Sequence, residues 1–234
     1  MIVLDASAPA LLITQPDHAA VAATIMRHWT AGGLDASPRR AAIMHAIEHH
    51  DDGWREVDVE PFLDTATGRV LDFVHVPVAT RHGVWQRGVA RLEAEPYAAA
   101  LVAQHALHVY GRLRHEPAWS SFFAEMSAAR DWHLLAAHEA IETLQRDYRF
   151  LRLGDLASLT FCGIAAGQAG EMGHDLRLDG SRLIVTPDPF AGAEVGLEVT
   201  ARELATTAFA SADQARAAWD SAPRRTLRGV AVGG

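Results

Sequence analysis

Apolar residues recur at helical spacing over most of the first 160 or so positions and alternate with polar ones in the tail. That pattern predicts helices through the body of the chain and strands at its two ends. Residues 2–4 and 11–14 read as short strands turning at Ala8-Pro9. A helix follows, with Asp17 as its N-cap and an inward stripe of His18, Val21 and Ala22, Ile25 and Trp29, and Gly32-Gly33 ends it. Ser37-Pro38 sets a capping Ser and a first-turn Pro at the start of a second helix, which runs to about Asp51 and stops at Gly53. Residues 55–80, with Pro61, Gly68 and Pro77, read as irregular, and a long loop inside a compact domain is often functional. Helices are expected over 81–94, from 96 to about 112, through a long stretch over 118–145, and over 147–162.

Residues 163–173 are rich in Gly and Ala, and the pattern beyond them is β-like. Residues 176–178 and 183–185 around Asp179-Gly180 read as a hairpin. Residues 195–200 read as another strand, 211–220 as a short helix and 227–232 as a last strand. The expected fold is therefore mainly α: a multi-helix bundle with a small antiparallel β subdomain formed by the N-terminal strands and the C-terminal tail. The expected division is a helical core with its N-terminal hairpin over 1–165 and a β-rich subdomain over 172–234, packed on that core.

Periodicity also sorts the histidines. Ile43 and Ile47, with Met44 beside them, mark the buried stripe of the second helix. His50 and Asp51 continue that stripe, whereas His45 and His49 fall on its flank. On the helix after Pro96, Leu101, His105 and His108 share a face, and on the last core helix Asp155 interrupts a stripe of Leu151, Ser158, Leu159 and Cys162. The inward polar set is thus His18, His50, Asp51, His105 and Asp155. Polar groups aimed at a core are costly unless they are paired or bind a metal. Imidazoles and carboxylates together suit one or two divalent ions, namely Fe, Mn, Zn or Co, and helical bundles host such sites. The alternative is a hydrogen-bonded core network without metal.

Composition narrows the partners. The 234 residues carry a formal net charge of −8, and all 21 basic residues are Arg. A net acidic chain without a basic block argues against a nucleic-acid partner. No apolar run approaches the ~20 residues needed to span a bilayer. A single cysteine, Cys162, excludes an internal disulfide framework and fits a reducing compartment. With no Lys or Arg in residues 1–26, a charged secretory head is missing. The expectation is a cytoplasmic protein acting on a small molecule. Its β-rich tail is either a cover for the pocket or the surface of a homodimer.

The ordered set of His18, His50-Asp51-x-Gly53 and Asp155-Leu156-Ala157-Ser158-Leu159 resembles the HD-domain superfamily of metalloproteins. The run of the chain looks like an uncharacterised bacterial branch of it, through Ile13-Thr14-Gln15, His49 to Trp54, Pro96-Tyr97-Ala98-Ala99 and Phe150 to Cys162. The resemblance implies an HD-like helical fold and six ligands: His18, His50, Asp51 and Asp155 at one shared site, with His105 and His82 completing a second metal, or His75 in the place of His82. Asp51 would be the metal-bridging carboxylate. Most members of the superfamily are phosphohydrolases of nucleotides or other phosphoesters. A smaller group are mixed-valent di-iron oxygenases.

A metal-dependent phosphohydrolase of a small phosphorylated molecule or nucleotide is accordingly the first functional expectation. The di-iron oxygenase and a non-catalytic metal- or ligand-binding module are the alternatives. With no Lys available, Arg would bind phosphate, and Arg55 and Arg81 are candidates by position. His75, His45 and His49 otherwise read as structural or solvated, and His108, His115, His133 and His138 as surface residues or as supports of the ligands. Glu171-x-x-His174 does not make a ferritin-like pair. Cys162 reads as a small core residue.

Overall fold

The computed structural model describes residues 1–4, 9–164 and 173–234, so the Ala8-Pro9 turn and Glu171 fall wholly or partly outside the described residues. The first helix, α1 (Gln15–Arg27), starts earlier than Asp17 implied. Thr14 caps it: its Oγ1 accepts from the Asp17 amide at 3.2 Å and also donates to Asp17 Oδ2 at 2.6 Å. The second helix, α2 (Arg40–His49), ends before the His50-Asp51 pair. His50 keeps helical angles, Asp51 leaves them at φ −108 and ψ 14, and a 3-10 turn over Asp52–Trp54 follows.

Helices α3 (Val78–Arg91) and α4 (Pro96–Val109) come next. The long helical stretch expected over 118–145 is two elements, α5 (Ser120–Ala136) and α6 (Ile141–Phe161). His138 makes the break with φ 54. The His138 amide donates to the Leu135 carbonyl and the Glu139 amide to the Leu134 carbonyl, both at 3.1 Å. This closes the helix with a left-handed residue, a place usually taken by Gly. A His there leaves no composition signal, so the stretch reads as unbroken in sequence.

The strands correct the expected fold class. The chain is 50% helical and 19% strand, and seven helices accompany one curled six-stranded mixed sheet among the described residues. It is therefore an α+β protein rather than a mainly α bundle carrying a small antiparallel appendage. Strands β1 (Ile2–Leu4), β2 (Ala10–Ile13), β3 (Asp175–Asp179), β4 (Arg182–Thr186), β5 (Val195–Leu204) and β6 (Arg224–Gly233) take the order β1-β2-β5-β6-β4-β3. β4 runs parallel to β6 and the other neighbours are antiparallel. The two ten-residue strands β5 and β6 outrun the alternating stretches seen in sequence, and pairing along their length holds the sheet together.

Val195, Leu197, Val199 and Ala201 on β5 are buried in the same apolar cluster as Ile25, Ile47, Leu101 and Leu151 of the helices. Helices α1 and α6 lie between that sheet face and the other helices. Helix α7 (Ala212–Ser221) contributes Trp219 to a second, smaller cluster with Met1, Leu12 and Leu204. At the crossing of α1 and α6, a Cβ on Gly154 would come within 2.8 Å of Met26 Cγ. That close approach sets Asp155 beside His18.

Candidate metal centre

Four elements deliver the polar residues singled out from sequence. His18 comes from α1, His50 and Asp51 from the end of α2, His105 from α4 and Asp155 from α6. His18, His50, Asp51 and His105 are at most 5% exposed, and the Asp155 side chain is 18% exposed. His50 sits between the other imidazoles, with ring centroids 5.2 Å from His18 and 5.2 Å from His105. Two abutting groups result: His18, His50 and Asp51, and His50, His105 and Asp155, the ligand atoms of each lying within 4.8 Å of one another.

The imidazoles all point the same nitrogen inward. His18 Nε2 is 2.8 Å from Asp51 Oδ2 and 3.9 Å from Asp155 Oδ1. His50 Nε2 is 3.5 Å from both Asp51 Oδ2 and Asp155 Oδ1, and His105 Nε2 is 3.6 Å from Asp155 Oδ2. Atoms bound about 2.0–2.2 Å from one ion sit roughly 3.0–3.6 Å apart, and most of these separations fall there.

The outward nitrogens are held in place. Ser158 Oγ donates to the Asp155 carbonyl at 2.8 Å, so it accepts from His18 Nδ1–H at 2.9 Å. His50 Nδ1 donates to the Ile47 carbonyl at 2.8 Å, and His105 Nδ1 meets the Tyr148 hydroxyl at 2.9 Å. Donating from Nδ1 leaves the Nε2 lone pair of a neutral imidazole free, and such outer partners orient metal-binding histidines.

Electrostatics describe the same site from its charges. Burial disfavours charge on His50, yet Asp51 and Asp155 outweigh it and push its imidazole up to about 9. Burial would also raise both carboxyls. The His50 charge and the His18 hydrogen bond instead hold Asp51 low, and the close approach of His50, with the His105 and His50 charges, holds Asp155 well below the usual carboxylate range. Burial drives His105 down to about 3, against the pull of Asp155. The buried cluster thus keeps two carboxylates ionised and calls for positive charge. His50 Nε2 makes no hydrogen bond of good geometry despite facing both carboxylates. A ring nitrogen 3.5 Å from each of two buried carboxylates, without a good hydrogen bond to either, fits a divalent cation, and the mixed N/O donor set suits Zn, Fe, Mn or Co.

A cavity of about 90 Å³ opens on His18, Asp51, His105 and Asp155. Its other walls include Gln15, Trp54, Phe73, Trp85 and Tyr110. Gly53 shapes the neighbourhood, because a Cβ there would lie 1.7 Å from the Val84 carbonyl oxygen of α3. Arg87 Nε and Nη2 donate to the Gly53 carbonyl at 3.3 and 3.1 Å.

The remaining sequence candidates stand apart. His82 packs on Phe122 and Trp119 and joins neither group. His75 is exposed and bonded to Asp72 at 2.6 Å. Arg55 pairs with Asp52 at 2.7 Å, and Arg81 lies over the Trp119 and Tyr110 rings at 5.1 and 5.9 Å. Neither Arg lines the cavity. His108 is exposed, one of the two places expected for it, and His133, expected at the surface or as a support of the ligands, is only 5% exposed and lies outside the cavity wall. Trp85, Tyr110 and Tyr148 were not singled out from sequence, and Gln15 entered only within the Ile13-Thr14-Gln15 run of the resemblance, without a role. Its spacing, three positions before His18, also puts it on the same side of α1.

A buried three-His, two-Asp cluster in an α+β scaffold thus defines the chain as a candidate metal-binding protein. It belongs to the family described as Protein of unknown function (DUF3891), whose model matches residues 1–206. Nothing among curated proteins or solved structures matches it. Among the described residues, no helix is long and apolar enough to cross a membrane.

Proposed function

We propose that this chain is a metal-dependent hydrolase acting on a small phosphorylated molecule in the cytoplasm. Its divalent ion would be held by His18, His50, Asp51, His105 and Asp155. The observation that carries the reading is the convergence of three Nε2 atoms on two ionised carboxylates, each imidazole fixed from behind through Nδ1. Their order along the chain is the order of the HD resemblance. When bound, one or two such ions would stabilise charge on phosphoryl oxygens and acidify a water.

The chain's own groups supply the rest. Asp155 offers Oδ1 towards His50 and Oδ2 towards His105, and its partial exposure lets it accept a hydrogen bond from a water in the cavity. Trp54, Phe73, Trp85 and Tyr110 exclude bulk solvent, which strengthens electrostatic interactions inside. Asp51, whose Oδ2 lies between His18 and His50, would hold the ion together with them. His82 lies outside both ligand groups, which favours a single ion.

One feature favours a second reading, the iron oxygenase. No Arg lines the cavity and its walls are largely aromatic, which suits a less charged substrate. Elemental analysis of protein purified without added metal separates the two. Manganese, cobalt or zinc with turnover across a phosphoester panel supports the hydrolase, and Asp51→Ala should abolish both metal retention and turnover. Bound metal with no phosphoester turned over across the panel overturns it, and iron with O2 consumption establishes the alternative.

A further inference from the structure

Two buried polar groups in the cavity wall lack a hydrogen bond of good geometry within the fold. Gln15 is 3% exposed, its backbone amide is spent on Asp58 at 2.7 Å, and its Oε1 makes no hydrogen bond. Trp85 is 4% exposed, and its Nε1 makes no hydrogen bond of good geometry although the Tyr110 hydroxyl lies beside it. Both side chains line the space that opens on His18, Asp51, His105 and Asp155. Buried polar groups are nearly always satisfied, so poorly paired ones on residues that line a cavity point to a ligand whose polar atoms complete them. A half-turn of the Gln15 amide exchanges its acceptor for a donor.

We propose that Gln15 and Trp85 form an uncharged clamp that positions a single compact oxyanion, the phosphate head of a monoester, against the metal centre. This rests on the hydrolase reading above and narrows its substrate. The cavity of about 90 Å³ holds one tetrahedral head, since a water takes roughly 30 Å³. It does not hold a nucleotide or a diphosphate. With no Arg in the lining, positive charge comes from the metal side, and Trp85 Nε1–H and the Gln15 amide supply direction. The alcohol portion of the ester would then lie outside the cavity. Gln15 and Trp85 are positioning residues for the substrate, and the metal ligands do not depend on them.

The test uses the metal-loaded wild type beside Trp85→Phe and Gln15→Met, which remove the polar atoms and keep most of the volume. Metal content, melting temperature, and calorimetric binding of orthophosphate and pyrophosphate are measured for each. The expected result is the same metal content and melting in all three, orthophosphate binding about tenfold weaker in each variant, and pyrophosphate binding no tighter than orthophosphate. Equal orthophosphate affinity in all three, or none in the metal-loaded wild type, overturns the clamp and leaves the metal centre standing. Tighter pyrophosphate binding overturns the single-head claim. A wild type that takes up no metal overturns both readings. Should Trp85→Phe fail to fold, Gln15→Met decides alone.

Discussion

Single atoms decide the chemistry of the centre. Ser158 hands its proton to the Asp155 carbonyl and so accepts from His18, which turns the His18 Nε2 towards Asp51. Ser158→Ala removes that acceptor at a fully buried position. The expected outcome is a folded protein that binds its metal about 10–100-fold more weakly, measured by competition with a chromogenic chelator. Unchanged affinity would mean that packing alone orients the ring.

Cys162, 2% exposed, shows the opposite use of burial. Loss of solvent, with the Asp17 charge adding to it, pushes its thiol up to about 12. At pH 8 it is protonated, and the thiolate fraction grows tenfold per pH unit while pH stays below that value. Iodoacetamide should label the native thiol at least about a thousandfold more slowly at pH 8 than the unfolded one. Equal rates in native and denaturing buffer would refute this.

At the scale of elements, the end of α2 delivers two of the proposed ligands, His50 and Asp51, in succession. The chain leaves the helix at Asp51, and Gly53 rests directly on the backbone of α3 near Val84 and Gly88. A Cβ there overlaps the Val84 carbonyl and forces α3 away from the motif turn. Overpacking typically costs about 1–3 kcal/mol, and contact with rigid backbone belongs at the upper end. Gly53→Ala should therefore lower urea stability by about 3 kcal/mol and weaken metal retention together. A stable variant with normal metal content would show that α3 does not hold the turn.

At the scale of the molecule, the proposed ligands come from α1, the end of α2, α4 and α6, so binding an ion would tie together the helices that share the main core with the sheet. A ligand that binds only the folded state stabilises it by mass action. At a hundredfold excess over its dissociation constant, a metal should raise the melting temperature by about 5–10 °C for a chain of this size. Removing it with a chelator should reverse the shift in the wild type and change nothing in His50→Ala. A melting temperature indifferent to chelation, in protein shown to hold metal, would mean that the cluster is rigid without it.

The sequence by itself determined the helices and the inward polar set. An apolar stripe carries a 3.6-residue period, and a polar residue continuing that stripe must go where the stripe goes. His18, His50, Asp51, His105 and Asp155 were legible for that reason. The tertiary structure alone decided the rest. The sheet joins β2 to β5 and β4 in parallel to β6, pairings between distant segments that no local pattern encodes. The break between α5 and α6 rests on His138 in a left-handed conformation without the usual Gly. His82 had the residue type of a ligand, but the packing of Phe122 and Trp119 holds it elsewhere. The roles of Gln15 and Trp85 come only from the cavity they share, because how well a hydrogen-bonding group is satisfied is a property of its surroundings.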